Sequence, residues 1–336
     1  MAFAITINGR SDAFFAEAGE SLLAAGRRAG FTFPQACRNG NCLRCEARLL
    51  CGQVRNMRVP GSALVDAGTT TILPCVVTAE SDCALVVEGV YGPGELPVCD
   101  VRAQVVAVDP LNHNVARIRL RLPAGRPVTR LAGQYLEILD GDSAYAFSIA
   151  SAPGSGRDIE LHVRHGEQNS SSLAVMDLLR REPVVPVRLP QGDCTLAGEP
   201  GLPLLLVVGS TGFAQAKAFV EHAIDRRWQV PISIYWGGRA AEDLYLDALA
   251  RSWAAEHANI RYVPVLSGTS AAAGFRTGLV HEAVLADVAD FSRLLVHACG
   301  SPAMVYATTD AFIARGLPAD RIFSDVFSWA PRAGAS

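Results

Sequence analysis

The chain has 336 residues, of which half are hydrophobic and 19% are charged, and its formal net charge is −3. This length is enough for two or three domains with separate cores, and the composition excludes wholesale disorder. Acidic and basic residues are mixed along the chain, so the sequence lacks the concentrated basic surface that nucleic acid requires.

The sequence shows neither a membrane span nor a secretion signal. No apolar run is longer than that of Leu204 to Val208, which is far shorter than the ~20 residues that a spanning helix needs. The segment Met1 to Arg10 alternates like a strand instead of starting basic and continuing apolar. We therefore expect a cytoplasmic protein, in which nine cysteines serve as metal ligands or buried thiols and not as disulfides.

Residues 1–90 begin with a strand in which Phe3, Ile5 and Ile7 alternate with other residues, followed by a second strand near Phe14. A helix with a capping residue is expected to start at Ser21 and to end at Gly30. A cysteine-rich loop and short strands complete the segment. Residues 91–98 are rich in Gly and Pro and are expected to form a linker.

Residues 99–199 consist of short β-branched runs separated by Gly, Pro, Asp or Asn, which predicts an antiparallel β-barrel with one helix at Ser172 to Arg181. The predicted strands are Val101 to Val108, Ala116 to Leu122, Leu136 to Leu139, Tyr145 to Ala150, Ile159 to Arg164 and Val184 to Leu189.

Residues 200–336 alternate between strands and helices. The continuous apolar run Leu204 to Val208 is typical of a strand buried on both faces, and a helix from Ala214 to about Arg227 follows it. The alternation continues with a strand at Ile232 to Trp236, another helix, and a strand at Ile260 to Leu266. A helix near Val280, a strand at Leu294 to Ala298 and a helix from Ala303 complete it. This order predicts a doubly wound parallel α/β sheet.

The sharpest motif is Cys37-x4-Cys42-x2-Cys45 with a fourth cysteine at Cys75. This is the plant-type 2Fe–2S spacing, because a compact cluster needs thiolates that converge from a tight loop, and Gly40 lets the backbone approach. A structural zinc site usually has two Cys-x2-Cys units, and here there is one. Four unrelated buried thiols are the other alternative.

Residues 1–90 resemble a plant-type ferredoxin of the β-grasp fold. The resemblance implies that Cys37, Cys42, Cys45 and Cys75 hold a 2Fe–2S cluster. The family usually has a small residue after the second cysteine, where this chain has Leu43. A bulkier side chain at that position could alter the cluster potential or the partner surface.

The segment Tyr145-Ala-Phe-Ser-Ile-Ala-Ser151 is similar to the Arg-x-Tyr-Ser signature of the ferredoxin–NADP reductase superfamily. That resemblance implies that Phe147 packs on the flavin ring and that the Ser148 hydroxyl bonds it near the reactive nitrogen. It also implies FAD contacts from further residues of the barrel and of the helix after it. The full set of predicted flavin residues is Tyr145, Phe147, Ser148, Ile149, His162, Arg164, Ser171 and Ser172.

Two departures from the flavin signature stand out. Tyr145 replaces the arginine that pairs with the FAD pyrophosphate, and a phenol supplies neither its charge nor its bidentate fork; Arg164 could take over the charge. Gln168-Asn169 stands where the family often has Gly-Gly. We therefore expect FAD to be held more weakly than is usual, and a barrel that has lost flavin is the alternative.

The nicotinamide motifs follow in family order. Val207 to Ala214 is a strand, glycine turn and helix, whose N–H groups favour a pyrophosphate, although a tight connection explains Gly-x-x-Gly equally well. Trp236-Gly-Gly-Arg239, Cys299-Gly-Ser-Pro302 and Asp325-Val-Phe327 resemble the superfamily's later nucleotide and closing segments. Cys299 as a buried thiol and Arg239 as a solvated charge are the plain alternatives. The predicted nicotinamide residues are Gly209, Thr211, Gly212, Gly237, Arg239, Cys299, Gly300 and Met304, with Phe327 covering the flavin.

Two residues of these motifs also depart from the family pattern. Ser210 and Gln215 stand where the family often has Gly and Pro. Glu242 and Asp243 follow the second loop and would repel a 2′-phosphate, so NADH is favoured and NADPH is the alternative.

Over its whole length the chain resembles the reductase components of phenol hydroxylase, methane monooxygenase and Rieske dioxygenases, and the CDP-6-deoxyhexose dehydratase reductases. The resemblance implies a multidomain flavoprotein: a β-grasp ferredoxin (α+β) at 1–90, an FAD-binding antiparallel barrel at 99–199 and a doubly wound nucleotide domain at 200–336. It implies electron transfer from NAD(P)H through FAD and the cluster to a partner oxygenase, hydroxylase or dehydratase, with Ser148, Cys299 and Phe327 as catalytic residues. A free flavin reductase and a non-enzymatic redox sensor remain as alternatives.

Overall fold

The computed structural model describes residues 2–31, 33, 40, 43, 45–68, 70–88, 90–93, 95–125, 128–166, 170–196, 198–268 and 273–332. The chain divides into two compact units. The first consists of Met1–Pro97 with Pro123–Thr129, and the second of Val98–Leu122 with Arg130–Ser336. Within the described residues no helix is long and apolar enough to cross a membrane.

The first unit contains two small sheets and one helix. A five-stranded sheet has the order β2-β1-β8-β3-β6, and a three-stranded sheet has the order β5-β4-β7. Its elements are β1 Ala2–Ile7, β2 Ala13–Glu17, α1 Leu22–Arg28, β3 Ala47–Cys51, β4 Gln53–Asn56, β5 Leu64–Asp66, β6 Thr71–Ile72, β7 Val77–Ala79 and β8 Cys83–Val86. Strand β1 pairs antiparallel with β2 and parallel with β8, which is the β-grasp arrangement predicted from the sequence.

The local reasons for this fold are visible in β1 and α1. Ile5 and Ile7 are fully buried, because alternate residues of a strand face the same side. The Ser21 side chain accepts a hydrogen bond from the Ala24 N–H and caps α1, so the helix begins one residue after the predicted start. A Cβ at Gly26 would collide with the Phe33 ring, so the helix reaches the core only with glycine at that position.

The second unit begins with an antiparallel sheet of the order β12-β11-β14-β9-β10-β13. A bridge between Ile149 and Leu161 connects the ends of this order and closes the sheet toward a barrel. The predicted strands are confirmed, with bounds that differ by at most two residues. The elements are β9 Cys99–Pro110, β10 Val115–Arg121, β11 Tyr135–Asp140, β12 Ser143–Ser148, β13 Asp158–Arg164, α2 Ser170–Arg181 and β14 Val184–Gln191.

A parallel sheet of the order β18-β17-β16-β15-β19-β20 follows, as the sequence predicted. Its elements are β15 Leu204–Gly209, α3 Phe213–Asp225, β16 Ile232–Gly238, α4 Asp247–Glu256, β17 Ile260–Leu266, β18 Arg276–Thr277, α5 Val280–Asp287, β19 Leu295–Cys299, α6 Pro302–Ile313, β20 Ile322–Phe323 and α7 Val326–Trp329. The chain order reverses between β15 and β19. Ligands of such sheets bind in the crevice at the carboxyl ends of the strands beside that reversal.

Candidate flavin and nicotinamide site

The reversal point carries glycines that cannot be replaced without displacing their neighbours. Strand β15 ends at Gly209, and a Cβ there would lie 2.7 Å from the Met304 sulfur. A Cβ at Gly212 would collide with the backbone oxygen of Cys299. The carboxyl ends of β15 and β19 therefore approach each other closely, and the glycine loop packs directly against Cys299.

A cavity of about 560 Å³ opens above this loop. The barrel contributes Phe147, Ser148, His162 and Arg164, and helix α2 contributes Ser172. The nucleotide-binding half contributes Gly209, Thr211, Gly212, Cys299 and Gly300. Ten of the residues that the sequence predicted for flavin and nicotinamide thus line one space, although they come from segments up to about 150 residues apart in the chain.

The cavity fits the planar reacting rings that the motifs imply. Its volume lies within the ~300–1,000 Å³ of typical ligand sites. Phe147 offers an aromatic face and Ser148 a hydroxyl, while the glycines leave room for close backbone contact. The first N–H groups of α3 follow Gly212, which has no capping side chain, and such groups favour an anion.

A second cavity, of about 420 Å³, adjoins the first and shares Gly209 and Arg164 with it. Gly237, Arg239 and Met304 line it, as predicted for nicotinamide nucleotide binding. Asp243 also lines it, and its Oδ2 accepts hydrogen bonds from the backbone N–H groups of Arg239 (2.8 Å) and Ala240 (3.2 Å). The loop after β16 therefore holds a carboxylate at the wall of this cavity.

His162 is bound on both ring nitrogens. Its Nε2 lies 2.8 Å from Glu160 Oε1, and its Nδ1 lies 3.0 Å from the Tyr245 hydroxyl. Burial lowers the pKa of His162, although the Glu160 carboxylate acts in the opposite direction. The neutral ring therefore donates from Nε2 to the carboxylate and accepts from the tyrosine at Nδ1. These bonds join β13 to the loop before α4, and they leave His162 no free nitrogen for a cofactor.

Glu160 is the centre of this buried network. Its Oε1 is 3.4 Å from the Lys217 ammonium, which also lies 2.8 Å from Glu221 Oε1. Burial would raise the pKa of Glu160, but the hydrogen bond from His162 and the charge of Lys217 outweigh it and lower the pKa to about 2. The network connects the barrel to α3, so it fixes the two walls of the cavity relative to each other.

Four predicted residues lie outside the cavity walls. Tyr145 on β12 and Ile149 just after that strand flank the lining residues, and Ser171 precedes Ser172. Phe327 is partly buried against the core beside the sheet, with its ring centroid 5.7 Å from that of Tyr306. Trp329, which the sequence analysis did not single out, lines the cavity instead and is 65% exposed. A tryptophan two residues after the closing Asp-x-Phe motif was the available signal.

Two further residues of the site were missed as functional candidates. Gln215 and Asp325 both line the cavity and hydrogen-bond each other at 3.0 Å. The signals in the sequence were Gln215 in place of the usual proline and Asp325 at the start of the closing motif.

The cysteine loop is described only in part. Cys45 is buried and Cys75 is half-buried, whereas Cys37 and Cys42 lie outside the described residues. Gly40 has a φ of +87° and packs against Val76, the residue after Cys75. Leu43 is 58% exposed, so the side chain that departs from the family pattern faces solvent.

Comparison with known proteins agrees with this architecture. The model of the 2Fe-2S iron-sulfur cluster binding domain matches residues 5–80, and that of the oxidoreductase NAD-binding domain matches residues 206–310. The CDP-6-deoxy-L-threo-D-glycero-4-hexulose-3-dehydrase reductase of Yersinia pestis is 33% identical over 94% of this chain and 95% of its own length. Reductase component 2 of terephthalate 1,2-dioxygenase from Comamonas sp is 30% identical over 97% of this chain and 98% of its own length.

Among solved structures, the Amycolatopsis cytochrome P450 reductase GcoB superposes with a TM-score of 0.64 and 28% identity, covering 96% of this chain and 98% of that one. These similarities extend over both units. The chain therefore belongs to the family of NAD(P)H-dependent flavoprotein reductases that carry a 2Fe–2S ferredoxin domain and deliver electrons to an oxygenase or dehydratase partner.

Proposed function

We propose that NADH and FAD meet in the 560 Å³ cavity and that electrons leave through Cys37, Cys42, Cys45 and Cys75 to a separate oxygenase, hydroxylase or dehydratase component. One observation carries this proposal: Phe147 and Ser148 of the barrel line the same space as Gly212 and Cys299 of the nucleotide half. FAD supplies the conversion between a two-electron hydride donor and a one-electron cluster.

In this proposal the residues of each cavity wall bind a different part of the two cofactors. Phe147 packs against the flavin ring, and the Ser148 hydroxyl donates a hydrogen bond to it. Thr211, Gly212 and the start of α3 bind the NADH pyrophosphate, and Arg164 supplies a cation toward FAD in place of the missing arginine. Cys299 and Gly300 position the nicotinamide ring, and Trp329 in place of Phe327 shields the rings from water. Support comes from the lining of the cavity by these side chains.

The Cys299 sulfur serves as a neutral contact and not as a nucleophile. Burial raises the pKa of this thiol well above its usual value, so it stays protonated. Hydride transfer needs placement and the exclusion of water, and neither requires a charged sulfur.

We also propose the domain limits 1–90, 99–199 and 200–336, with a linker at 91–98, and a cytoplasmic location, where NADH is available and the cluster thiols stay reduced. NADH is the proposed donor because Asp243 lies in the wall of the second cavity. The partner class follows from the relatives, which are reductases of a dehydrase and of a dioxygenase.

A free flavin reductase is the second candidate, because Tyr145 lacks the charge of the usual arginine and does not line the cavity. The deciding experiment is a visible absorption spectrum of anaerobically purified protein before and after NADH, with iron and FAD measured in parallel. Cytochrome c reduction with and without added FAD follows. We expect bound iron and flavin, bleaching by NADH and little dependence on added FAD. Colourless protein would exclude the proposal, and strict dependence on free flavin would favour the second candidate.

A further inference from the structure

Gln215 occupies the first turn of α3, is 2% exposed and lies directly behind Cys299. Its Oε1 is 2.6 Å from the Cys299 sulfur. Its Nε2 donates to the backbone oxygen of Gly133 at 2.5 Å and to Asp325 Oδ2 at 3.0 Å. One amide therefore touches the barrel, the end of β19 and the residue that precedes α7.

The partners of this amide determine its orientation. Gly133 O and the Asp325 carboxylate are acceptors, so the NH₂ group must face them. The amide oxygen then faces Cys299, and only a protonated thiol can donate to it. The thiol hydrogen is thus directed into the protein, while the sulfur lone pairs remain for the cavity that Cys299 lines.

We propose that Gln215 is a positioning residue for nicotinamide binding: its amide holds Cys299 in one protonated orientation and ties the thiol to Asp325, which leads into α7 and Trp329. This inference rests on the proposed function, because it assumes that the cavity takes the nicotinamide ring. A proline at this position, as the family often has, could make none of the three bonds.

The titratable groups that face this amide are few. Cys299 and Asp325 contact it, and Cys194 of the barrel hydrogen-bonds to Asp325 as well. Asp193 lies near enough to raise the pKa of Asp325 further, in addition to the main effect of burial. A second carboxylate at position 215 would therefore be repelled by Asp325, because no cation among the described residues bonds to either position.

The test compares Gln215→Leu, Gln215→Glu and the double variant Gln215→Glu/Asp325→Asn with the wild-type holoprotein. The first readout is the NAD⁺ dissociation constant from calorimetry, and the second is the alkylation rate of Cys299, followed by mass mapping of its peptide. Neither needs turnover. Gln134→Leu is the matched control, since this buried amide bonds Leu131 N and Gly192 O and does not touch Cys299.

We expect Gln215→Leu to weaken NAD⁺ binding about tenfold, the effect of losing one well-placed hydrogen-bonded contact. Cys299 should be alkylated several-fold faster, because its proton has lost its acceptor. Gln215→Glu should bind NAD⁺ poorly at pH 8 and better at pH 6, where one carboxyl is protonated. The double variant should recover binding at pH 8, because the amide introduced at position 325 can donate to the carboxylate at position 215.

A purely structural role predicts a different pattern. Gln134→Leu would then change NAD⁺ binding and alkylation as much as Gln215→Leu does, and the double variant would show no recovery; either result overturns the inference. If Gln215→Leu fails to fold, the pH dependence of NAD⁺ binding in Gln215→Glu and its recovery in the double variant still distinguish the two roles. Failure of the wild-type protein to bind NAD⁺ would instead reject the proposed function.

Discussion

The indole Nε1 of Trp236 donates a hydrogen bond to the backbone oxygen of Ser210, 3.2 Å away. Trp236 is the last fully buried residue of β16, and its ring stacks on Phe213 with centroids 3.7 Å apart and planes 4° apart. Ser210 has a φ of +51°, a left-handed conformation that non-glycine residues adopt at a cost. The indole thus supports the strained turn that begins the nucleotide loop.

Replacing this indole should loosen the loop. Trp236→Phe removes the bond to Ser210 and leaves a gap beside Phe213, so we expect a loss of about 2 kcal/mol in the free energy of unfolding and weaker NAD⁺ binding by calorimetry. Trp228→Phe is the control, because Trp228 is also buried but packs against His222. Equal effects of both variants on the NAD⁺ dissociation constant would refute a specific support of the loop.

The closing aromatic should be Trp329 and not Phe327. Trp329→Ala opens the cavity wall, so iodide should quench bound flavin more strongly, with a Stern–Volmer constant at least doubled. Phe327→Ala removes packing against Tyr306 and should cost about 3 kcal/mol of stability without changing the quenching. The two variants are controls for each other, and the reverse pattern would assign the covering role to Phe327.

The sequence predicted those parts of this site that local chemistry determines. Gly209 and Gly212 were identifiable because they lie in a turn between a buried apolar strand and a helix, and the barrel strands because β-branched runs alternate with turn residues. The fold class is confirmed for the same reason, because the periodicity of hydrophobic residues and the positions of Gly and Pro in turns are local properties of the sequence.

The rest depends on distances in space that the sequence does not contain. Gln215 and Asp325 are 110 residues apart in sequence, and His162 and Tyr245 are 83 residues apart. Only the three-dimensional structure therefore shows that each pair forms a hydrogen bond. Phe327 and Trp329 are two residues apart on a four-residue helix, where side chains differ by about 200° in direction. The motif could identify the segment, but it could not predict the rotation of the helix about its axis, which decides which aromatic side chain faces the cavity.

Restoring the family's arginine should tighten FAD binding. Tyr145 lies two residues before Phe147 on β12, so both side chains leave the strand on the same side. Tyr145→Arg adds a guanidinium that can pair bidentately with a pyrophosphate, and we expect the FAD dissociation constant to fall about tenfold. Ala144→Arg adds the same charge on the opposite side of the strand and should leave FAD affinity unchanged. If both variants tighten binding equally, the effect is general attraction and not pairing at position 145.

The choice between the two nicotinamide cofactors should depend on the charge of Asp243. Asp243→Asn keeps an oxygen that can accept from the Arg239 and Ala240 N–H groups but removes the repulsion of a 2′-phosphate. We expect the ratio of kcat/KM for NADPH to that for NADH to rise roughly tenfold. Glu256→Gln, at the far end of α4, removes an equal charge and is the control. An unchanged ratio in Asp243→Asn would place the discrimination elsewhere.

The stability of the nucleotide half should depend on pH through His297. This imidazole is 1% exposed, lies between the rings of Phe219 and Phe323, and has no hydrogen-bond partner at Nδ1 among the described residues. Burial lowers its pKa to about 3, whereas the unfolded chain titrates near 6.5. Between these values the unfolded state binds the extra proton, so stability is unaffected above pH ~6.5 and falls as the pH decreases, by up to about 1.4 kcal/mol per unit.

The variant His297→Leu, of similar volume, removes this proton uptake. Its melting temperature relative to the wild-type protein should therefore stay nearly constant between pH 7.5 and 6.5 and then rise at pH 5.5 and 5.0. Other groups also titrate in this range, but they are common to both proteins and cancel in the difference. A difference in melting temperature that stays constant from pH 7.5 to 5.0 would show that His297 takes up its proton equally in the folded and unfolded chains, contrary to its burial between two phenylalanines.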